Sequence, residues 1–286
     1  MRRFIVAAVL ALAANNLFAA TGEAVLTVES VLSPAWVERA NGRREPLAAG
    51  MALNGKEKVH TGDGGRATLR LAEGSSIKLG EAAMISVDDV ARKGDAGVVT
   101  AGLDVVRGAF RFTTGLLQKT SGQRDVKFRV NAITAGIRGT DVWGKSEGDR
   151  DVICLLEGNV TVSHGAAQFQ MNQPNTFYIA PRTGQAQPPS SVSPQQVKEW
   201  SDETEIFPKM GGARAGGTSI VRVASAPDEA SANALRDKLR ESGFPATIAV
   251  GGQGYDVRID SLPDAGEASV LAERLRRIGF AQATAQ

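Results

Sequence analysis

The sequence predicts two folded units, an all-β body followed by a small α+β domain. The body is indicated by short segments of alternating hydrophobicity, separated by glycine-bearing turns, between residues 21 and 180. The second unit is indicated by an internal repeat within residues 219–286. With 286 residues, 32 glycines and 5% aromatic residues, the chain has room for about two domains and favours turns and short strands over long helices.

The first 20 residues have the pattern of a secretory signal peptide. Arg2 and Arg3 precede an unbroken apolar run from Phe4 to Ala14, which is too short to span a bilayer but has the length of a signal-peptide core. The alternative is a buried N-terminal helix. We expect export to the periplasm, and no later segment predicts a membrane span in the mature chain.

The charge balance argues against a nucleic-acid partner. Two of the 33 basic residues lie in the predicted leader, which contains no acidic residue, so the rest of the chain balances its 31 Asp and Glu residues. Nucleic-acid binding needs a basic excess or a basic patch, and the composition offers none. The single cysteine, Cys154, lies in the apolar run 152–156 and is predicted to be a buried core residue rather than a nucleophile.

Strands of the body are predicted from a period of two in hydrophobicity. The predicted strands are Arg66–Leu71, Ser76–Leu79, Val105–Phe112, Val126–Val130, Val142–Lys145, Val152–Leu156 and Val160–Ser163. Glu73-Gly74-Ser75 and Glu157-Gly158-Asn159 are predicted turns between neighbouring strands. The spacing is typical of a sandwich, a barrel or a solenoid, and these three remain open.

The body resembles the FecR domain in several separated blocks. The blocks, in family order, are LNG at 53–55, VHTG at 59–62, ATLRLAEGSSIKLG at 67–80, FRVNAITAGIRGT at 128–140 and LEGNVTV at 156–162. Lys56, Asn131 and Ala132 depart from the family pattern. The iron-transport regulators of this type also carry a cytoplasmic segment and a transmembrane helix, neither of which this sequence shows. The resemblance implies a periplasmic, β-rich interaction domain.

The motif Gly136-Ile137-Arg138-Gly139-Thr140 admits two interpretations. Glycine within a strand pattern is typical of a bulge or bend, in which case Arg138 pairs internally. Alternatively, the glycines allow close backbone approach, and Arg138 is a candidate contact to an acidic partner.

Residues 181–218 are predicted to be a linker, rich first in proline and later in glycine and alanine. A short helix is predicted near 193–205, with Ser193 as its N-cap and Pro194 at its first position. Val197 and Trp200 fall on one face of this helix, and Trp200 is expected to dock it onto the body.

The C-terminal region repeats at a shift of 36 residues, so that Val221–Phe244 aligns with Val257–Phe280. Each unit reads strand, helix, strand. Asp264 is a predicted N-cap, and Glu267 completes a predicted capping box, while Gly243 ends the first helix. The prediction is a split β-α-β domain of the ferredoxin-like type, with both helices on one face of the sheet. Arg222 and Arg258 alternate with apolar residues and are therefore expected on the uncovered face.

This unit resembles the SPOR domain, a peptidoglycan-binding module that recognises glycan strands stripped of their peptide stems. The matching stretches are Val221–Ser225, Ser231–Leu235, Leu239–Phe244 and Tyr255–Ile259. The resemblance implies glycan contacts for Arg222, Ser225, Arg258 and Ser261, because a glycan needs directional donors on a shallow surface. The alternative is that the arginines are ordinary solvated positions.

Three classes of function follow from these features. An enzyme is not expected, because the sequence shows no metal-ligand cluster, nucleophile elbow or phosphate loop, and only two histidines; no catalytic residue, metal or cofactor is predicted. A periplasmic sensor or regulator of the FecR type, acting through a protein partner, is the alternative function. The favoured one is an envelope scaffold that binds peptidoglycan through its C-terminal domain and an envelope protein or polysaccharide through the β body.

Overall fold

The computed structural model describes residues 24–93, 98–115, 124–252 and 254–286. The predicted signal peptide lies outside the described residues, as does the side chain of Arg138. Within the described residues, no helix has the length and apolar character needed to cross a membrane.

Sixteen strands of the described chain belong to one hydrogen-bonded sheet that forms the β body. They are β1 (Leu26–Leu32), β2 (Ala35–Glu38), β3 (Arg44–Pro46), β4 (Ala52–Leu53), β5 (Glu57–Thr61), β6 (Arg66–Leu71), β7 (Ser76–Leu79), β8 (Met84–Lys93), β9 (Val98–Thr113), β10 (Arg124–Val130), β11 (Ile133–Ser146), β12 (Arg150–His164), β13 (Ala167–Met171), β14 (Thr176–Pro181), β15 (Ser190–Ser191) and β16 (Ala213–Arg214). Helix α1 (Pro194–Asp202) precedes β16 in the chain.

Seven strands of this sheet follow one another in a single path of pairings. The pairing runs β1–β6–β7–β9–β8–β5–β2, and β2 follows β1 directly after the turn at Ser33–Pro34. Alternate side chains of these strands are buried and form one apolar core, which accounts for the period of two in the sequence. Phe110 stacks on Phe128 at 4.9 Å between ring centroids, and Phe112 lies 5.3 Å from the same ring.

The long strand β9 changes partners along its length. Its first half pairs in parallel with β10, while its second half pairs directly with β11. Strand β10 therefore separates β9 from β11 over only part of the sheet, and β11 shifts register between Arg138 and Val142 where this separation ends. The prediction of a turn at 157–159 is wrong, because β12 runs unbroken through these residues and Gly158 lies in an irregularity of the β11–β12 ladder.

A segment that we call the strap, residues 193–210, crosses the outer surface of the β body. Ser193 caps α1 by accepting a hydrogen bond from Gln196 N at 3.2 Å. Trp200 lies parallel to Trp143, with 4.7 Å between ring centroids. Beyond the strap, the glycine-rich stretch adds β16 to the sheet, paired with Ser30 and Val31. Much of the predicted linker is therefore attached to the body.

The C-terminal domain has a four-stranded sheet in the order β18-β19-β17-β20, with two helices on one face. Its elements are β17 (Ser219–Ala226), α2 (Glu229–Glu241), β18 (Ala246–Gly251), β19 (Gly254–Leu262), α3 (Ala265–Arg277) and β20 (Thr284–Ala285). This antiparallel order is the ferredoxin-like arrangement that the sequence predicted. Gly243 and Gly279 have φ of +80° and +104°, as left-handed residues after a helix require.

The helix layer of this domain docks onto the strap. Glu267 does not close the predicted capping box: its Oε1 accepts a hydrogen bond from Lys209 N at 2.5 Å, and its Oε2 accepts one from Gly211 N at 2.6 Å. Asp264 still caps α3 by accepting from Glu267 N at 2.9 Å. The reason is that the backbone N–H groups of Lys209, at the end of the strap, and of Gly211 and Gly212, just after it, lack partners within their own segment.

Arg274 completes the docking. Its Nη1 donates to Met210 O at 3.1 Å, and its Nη2 donates to Ser33 O at 2.7 Å in the β body. Burial and the nearby charge of Arg277 lower the pKa of Arg274. The guanidinium therefore joins α3, the strap and the body through carbonyl oxygens rather than through a carboxylate.

The environment of His60 predicts that the stability of the fold depends on pH. This residue lies in β5, and its buried Nε2 has no hydrogen-bond partner among the described residues. Burial lowers the pKa of His60, the charges of Arg44 and Arg107 add to this effect, and Glu38 opposes it. The unfolded chain therefore takes up a proton first as the pH falls, so the stabilising contribution is present above about pH 6.5 and is lost below it.

We expect the free energy of unfolding to fall between pH 7.5 and 5.5, with a His60 contribution of at most about 1.4 kcal/mol per pH unit. Urea denaturation at a series of pH values measures this slope. The His60→Asn variant should flatten it in this window. An unchanged slope in the variant would assign the acid sensitivity to other groups.

Candidate glycan-binding face

The sheet surface opposite α2 and α3, which we call the open face, carries the two predicted arginines side by side. Arg222 of β17 lies directly opposite Arg258 of β19. Thr247 flanks Arg258 on β18, and Thr284 flanks Arg222 on β20, so the four residues form one row across all four strands. Helices cover the other face, where Val221, Val223, Val257 and Ile259 are buried.

Local irregularities interrupt both strands near the two predicted serines. Val223 and Ala226 are both buried although only two residues separate them, and Ile259 and Leu262 repeat this spacing. The register shifts at these points of the β17–β19 ladder. Strict alternation would turn Ser225 and Ser261 toward the helices. The extra residue in β17 returns Ser225 to the open face, where it lies opposite Asp256, and Ser261 lies in the bulge of β19. Ser261 has a φ of +68°, in keeping with such a bulge.

Two carboxylates lie among the predicted donors, and the site prediction had missed both. Ser225 Oγ donates to Asp256 Oδ1 at 2.5 Å. Asp260 joins Arg258 to Thr247: its Oδ1 lies 2.9 Å from Arg258 Nε, and its Oδ2 accepts from Thr247 Oγ1 at 2.7 Å. The Arg258 contact is an ion pair rather than an aligned hydrogen bond, because Nε–H has no acceptor in line. The alternation of β19 could have revealed both aspartates, since they share the parity of Arg258.

The two arginines are therefore not equivalent. Asp260 offsets the charge of Arg258, whereas Arg222 has no ion-pair partner among the described residues. Like charges directly opposite each other in a ladder repel. An anionic or strongly accepting group bound over the row would relieve this repulsion, and Arg222 is the guanidinium free to receive it.

The other predicted contact, Arg138, lies in β11 opposite Asn159 of β12. Its side chain is outside the described residues, so a partner contact there stays a prediction. Next to it, the outer face of the body has a shallow cavity of about 590 Å³ lined by Lys127, Gly136, Thr161 and other residues of the same strands. Gly136 meets nothing within 4 Å on its open side, so it leaves the strand surface flat at this point.

Cys154 and His164 belong to residue types that can act as nucleophile or base in enzymes. Cys154 is fully buried, and burial raises the pKa of its thiol to about 12. His164 Nδ1 lies 2.7 Å from the hydroxyl of Tyr178. Within residues 24–93, 98–115, 124–252 and 254–286, no three His, Cys, Asp or Glu side chains converge as metal ligands.

Comparison with known proteins identifies both domains. The model of the FecR protein family matches residues 57–161, and the model of the SPOR domain matches residues 215–284. No curated protein matches the chain. Two crystal structures of a protein from Parabacteroides distasonis, described as an anti-sigma factor, are 13% and 12% identical, with TM-scores of 0.41 and 0.42; each covers 78% of this chain and 91% of its own. This likeness is too distant to support an argument.

The two family models coincide with the two folded units. The FecR model falls within the β body, and the SPOR model includes the helix-covered sheet. The chain combines a FecR domain at residues 57–161 with a C-terminal SPOR domain at residues 215–284.

Proposed function

We propose that this protein is a non-enzymatic component of the periplasmic cell envelope that binds denuded peptidoglycan glycan strands through the open face of its SPOR domain. The observation that carries the proposal is the row of Arg222 and Arg258 on a sheet face that α2 and α3 leave uncovered. The contacts of Glu267, Gly243 and Arg274 with the rest of the molecule come from the helix layer and its connections, on the other side of the sheet.

The chemistry of the face suits a glycan. Glycan strands present hydroxyl and amide groups, and the muramic units of a denuded strand carry a free carboxylate. Arg222 supplies a fork of N–H donors for that carboxylate, while Ser225 and Thr247 supply hydroxyl groups nearby. Asp256 and Asp260 accept hydrogen bonds and can receive sugar hydroxyls. A flat, polar surface with these donors and acceptors is typical of recognition along an extended strand.

The proposed role of the FecR domain is to hold an envelope protein or polysaccharide, so that the whole chain anchors its partner to the wall. The alternative is a periplasmic sensor or regulator acting through a protein partner, which the FecR family match favours. Crosslinking in intact cells separates the two: recovery of a membrane-bound signalling protein supports the sensor, and recovery of wall-associated proteins supports the scaffold.

The asymmetry of the two arginines gives the first test. We expect Arg222→Ala to weaken binding to amidase-treated sacculi about 10- to 100-fold, the range for loss of hydrogen bonds to a charged group. Arg258→Ala should weaken it less, because Asp260 already holds that side chain. The measurement is cosedimentation of the purified chain with sacculi before and after removal of the stem peptides.

Arg277→Ala is the matched control, since this exposed arginine lies on α3 and pairs with Glu273 away from the open face. It should bind as the unaltered chain does. Binding that is equal on treated and untreated sacculi, or unaffected by Arg222→Ala, would contradict glycan recognition by the open face.

A further inference from the structure

The strap lies over a surface of mixed character on the outside of the β body. One transverse row of the sheet runs through Lys78, Arg111, Trp143, Cys154 and Phe177, each paired with the next across a strand boundary. The row therefore carries cations at one end, where Asp141 pairs with Arg111, and apolar side chains at the other. Four cations at and beside its first end, which we call the basic strip, come from four adjacent strands: Arg66, Lys78, Arg111 and Lys145.

The strap matches this surface residue by residue. Trp200 covers the apolar end, stacked on Trp143 and edge-on to Phe177 at 5.9 Å. Glu203 then reaches Lys145 Nζ at 3.2 Å, and Glu205 pairs with Lys78 and lies 3.4 Å from Arg111 Nη1. An aromatic residue followed by two carboxylates thus meets apolar side chains followed by cations.

Backbone contacts support the same placement. Arg66 Nε donates to Glu203 O at 3.0 Å, so the basic strip holds the main chain of the strap as well as its carboxylates. Gly80 lies directly beneath this point, where an added Cβ would be 2.9 Å from Glu203 O. The surface therefore contacts a peptide backbone directly, in addition to pairing with carboxylate side chains.

The helical part of the strap rests on this surface without entering the core. No residue of α1 is buried, whereas Thr204, which follows the helix, is buried. Cavities of about 410, 440 and 220 Å³ flank the strap and are lined in part by Glu205, Glu203 and Trp200 respectively. The acid–base pairs are partly exposed to solvent, with the side chains of Lys145 and Glu203 30% and 35% exposed. Ion pairs exposed to this degree contribute little to stability.

We infer that the basic strip and the adjoining Trp143 surface form a docking site for an acidic peptide segment of a partner protein, and that the strap is an internal occupant of this site. The partner segment would carry an aromatic residue followed within a few positions by two carboxylates. The combination of a stacking surface, a backbone contact at Arg66 and paired cations fits a peptide better than an anionic polysaccharide, which has no aromatic side chain to place on Trp143. The inference does not depend on glycan binding.

Occupation by a partner would have a consequence for the second domain. The last residues of the strap, Lys209 and Met210, and the following Gly211 hold Glu267 and Arg274 of the SPOR domain. Displacement of the strap would therefore loosen the docking of that domain on the β body, and partner binding would be coupled to the freedom of the wall-binding domain.

The test uses the full chain and a fluorescein-labelled peptide with the sequence VKEWSDETEIFP, which corresponds to residues 197–208. The intramolecular strap competes with this peptide at a high effective concentration, so the unaltered chain should bind it weakly. We expect Glu203→Gln with Glu205→Gln in the protein to release the strap and to raise peptide affinity at least tenfold. Loss of the Trp143–Trp200 signal in circular dichroism reports the release independently.

Two controls make the result specific. Replacing the two peptide glutamates that correspond to Glu203 and Glu205 by glutamine, or adding Lys78→Gln to the released protein, should lower peptide affinity at least tenfold. Lys198→Gln with Asp202→Asn removes an exposed ion pair of α1 that does not touch the basic strip, and should leave the strap in place. Should the double variant fold poorly in a thermal melt, Glu205→Gln alone takes its place.

Several outcomes would overturn the inference. A strap that stays stacked after both glutamates are neutralised would show that the basic strip does not hold it. A released strap without gain in peptide affinity would show that the surface is no docking site. Binding of polygalacturonate in place of the peptide would assign the site to a polyanion of a different class.

Discussion

Gly158→Ala is expected to destabilise the β body by about 3 kcal/mol. Gly158 has a φ of +86°, which costs an alanine about 1–2 kcal/mol. A Cβ at this position would also lie 2.3 Å from Gly139 O and 3.0 Å from Thr140 Cα, in backbone of the neighbouring strand. Backbone on the far side of the ladder cannot yield as a flexible side chain can, so relief of the clash requires separating β11 from β12.

The matched control for this change is Gly136→Ala, in the same pair of strands. A Cβ on Gly136 meets nothing within 4 Å, and this glycine is not among those with positive φ. The change should therefore shift the free energy of unfolding by less than about 0.5 kcal/mol. Urea denaturation monitored by tryptophan fluorescence compares the two variants. Equal effects at both positions would contradict the assignment of Gly158 to a close backbone contact.

The second large effect is expected for Asp151→Ala, which should lower the free energy of unfolding by about 3 kcal/mol. This value is at the low end of the range for breaking a buried ion pair. Asp151 is fully buried and accepts two hydrogen bonds from Arg182, at 2.6 and 3.0 Å. Its Oδ1 also lies 3.3 Å from Asn131 Nδ2. Removal of the carboxylate takes the acceptor from Arg182 Nη1, whereas Arg182 Nη2 keeps Glu147 O at 3.0 Å and Asn131 Nδ2 keeps Ser146 Oγ at 2.7 Å. The low end of the range applies because the side chain of Arg182 is 33% exposed and can recruit water.

Asp149→Ala is the control for this prediction. Asp149 lies two residues earlier and pairs with Arg150 through a side chain that is 73% exposed, so its loss should cost less than about 0.5 kcal/mol. Asp151→Asn should fall between the two, because it keeps one acceptor oxygen but removes the charge that Arg182 faces. An Asp151→Ala variant as stable as Asp149→Ala would show that the contacts of Asp151 with Arg182 and Asn131 do not stabilise the fold.

The division between sequence and tertiary structure is clearest in the C-terminal domain. A repeat of 36 residues, paired caps and a period of two were sufficient to predict its ferredoxin-like fold and the uncovered position of Arg222 and Arg258. These features act locally: a cap or an alternating strand is defined by residues a few positions apart, and the pattern can be read without knowing what packs beyond it.

The strands of the body were also predicted from local pattern, but their connection was not. Gly158 reads as a turn in the sequence because glycine between two apolar runs is typical of a hairpin. In the structure, the same glycine accommodates Gly139 O from the neighbouring strand within one continuous β12. Nothing local separates a glycine that turns the chain from one that admits a neighbour, since the neighbour is set by strand pairing over long sequence distances.

The open face also shows the limit of what local sequence pattern can predict. The sequence placed Arg222 and Arg258 on the open face, but only the bulge in β17 explains how Ser225 joins them. Glu267 has the spacing of a capping box, yet the N–H groups of Lys209 and Gly211 take its carboxylate once the two domains meet. Local propensity fixed the helices, the caps and the faces of the strands. Long-range packing decided which donors and acceptors were left to be satisfied, because that depends on which surfaces are brought together.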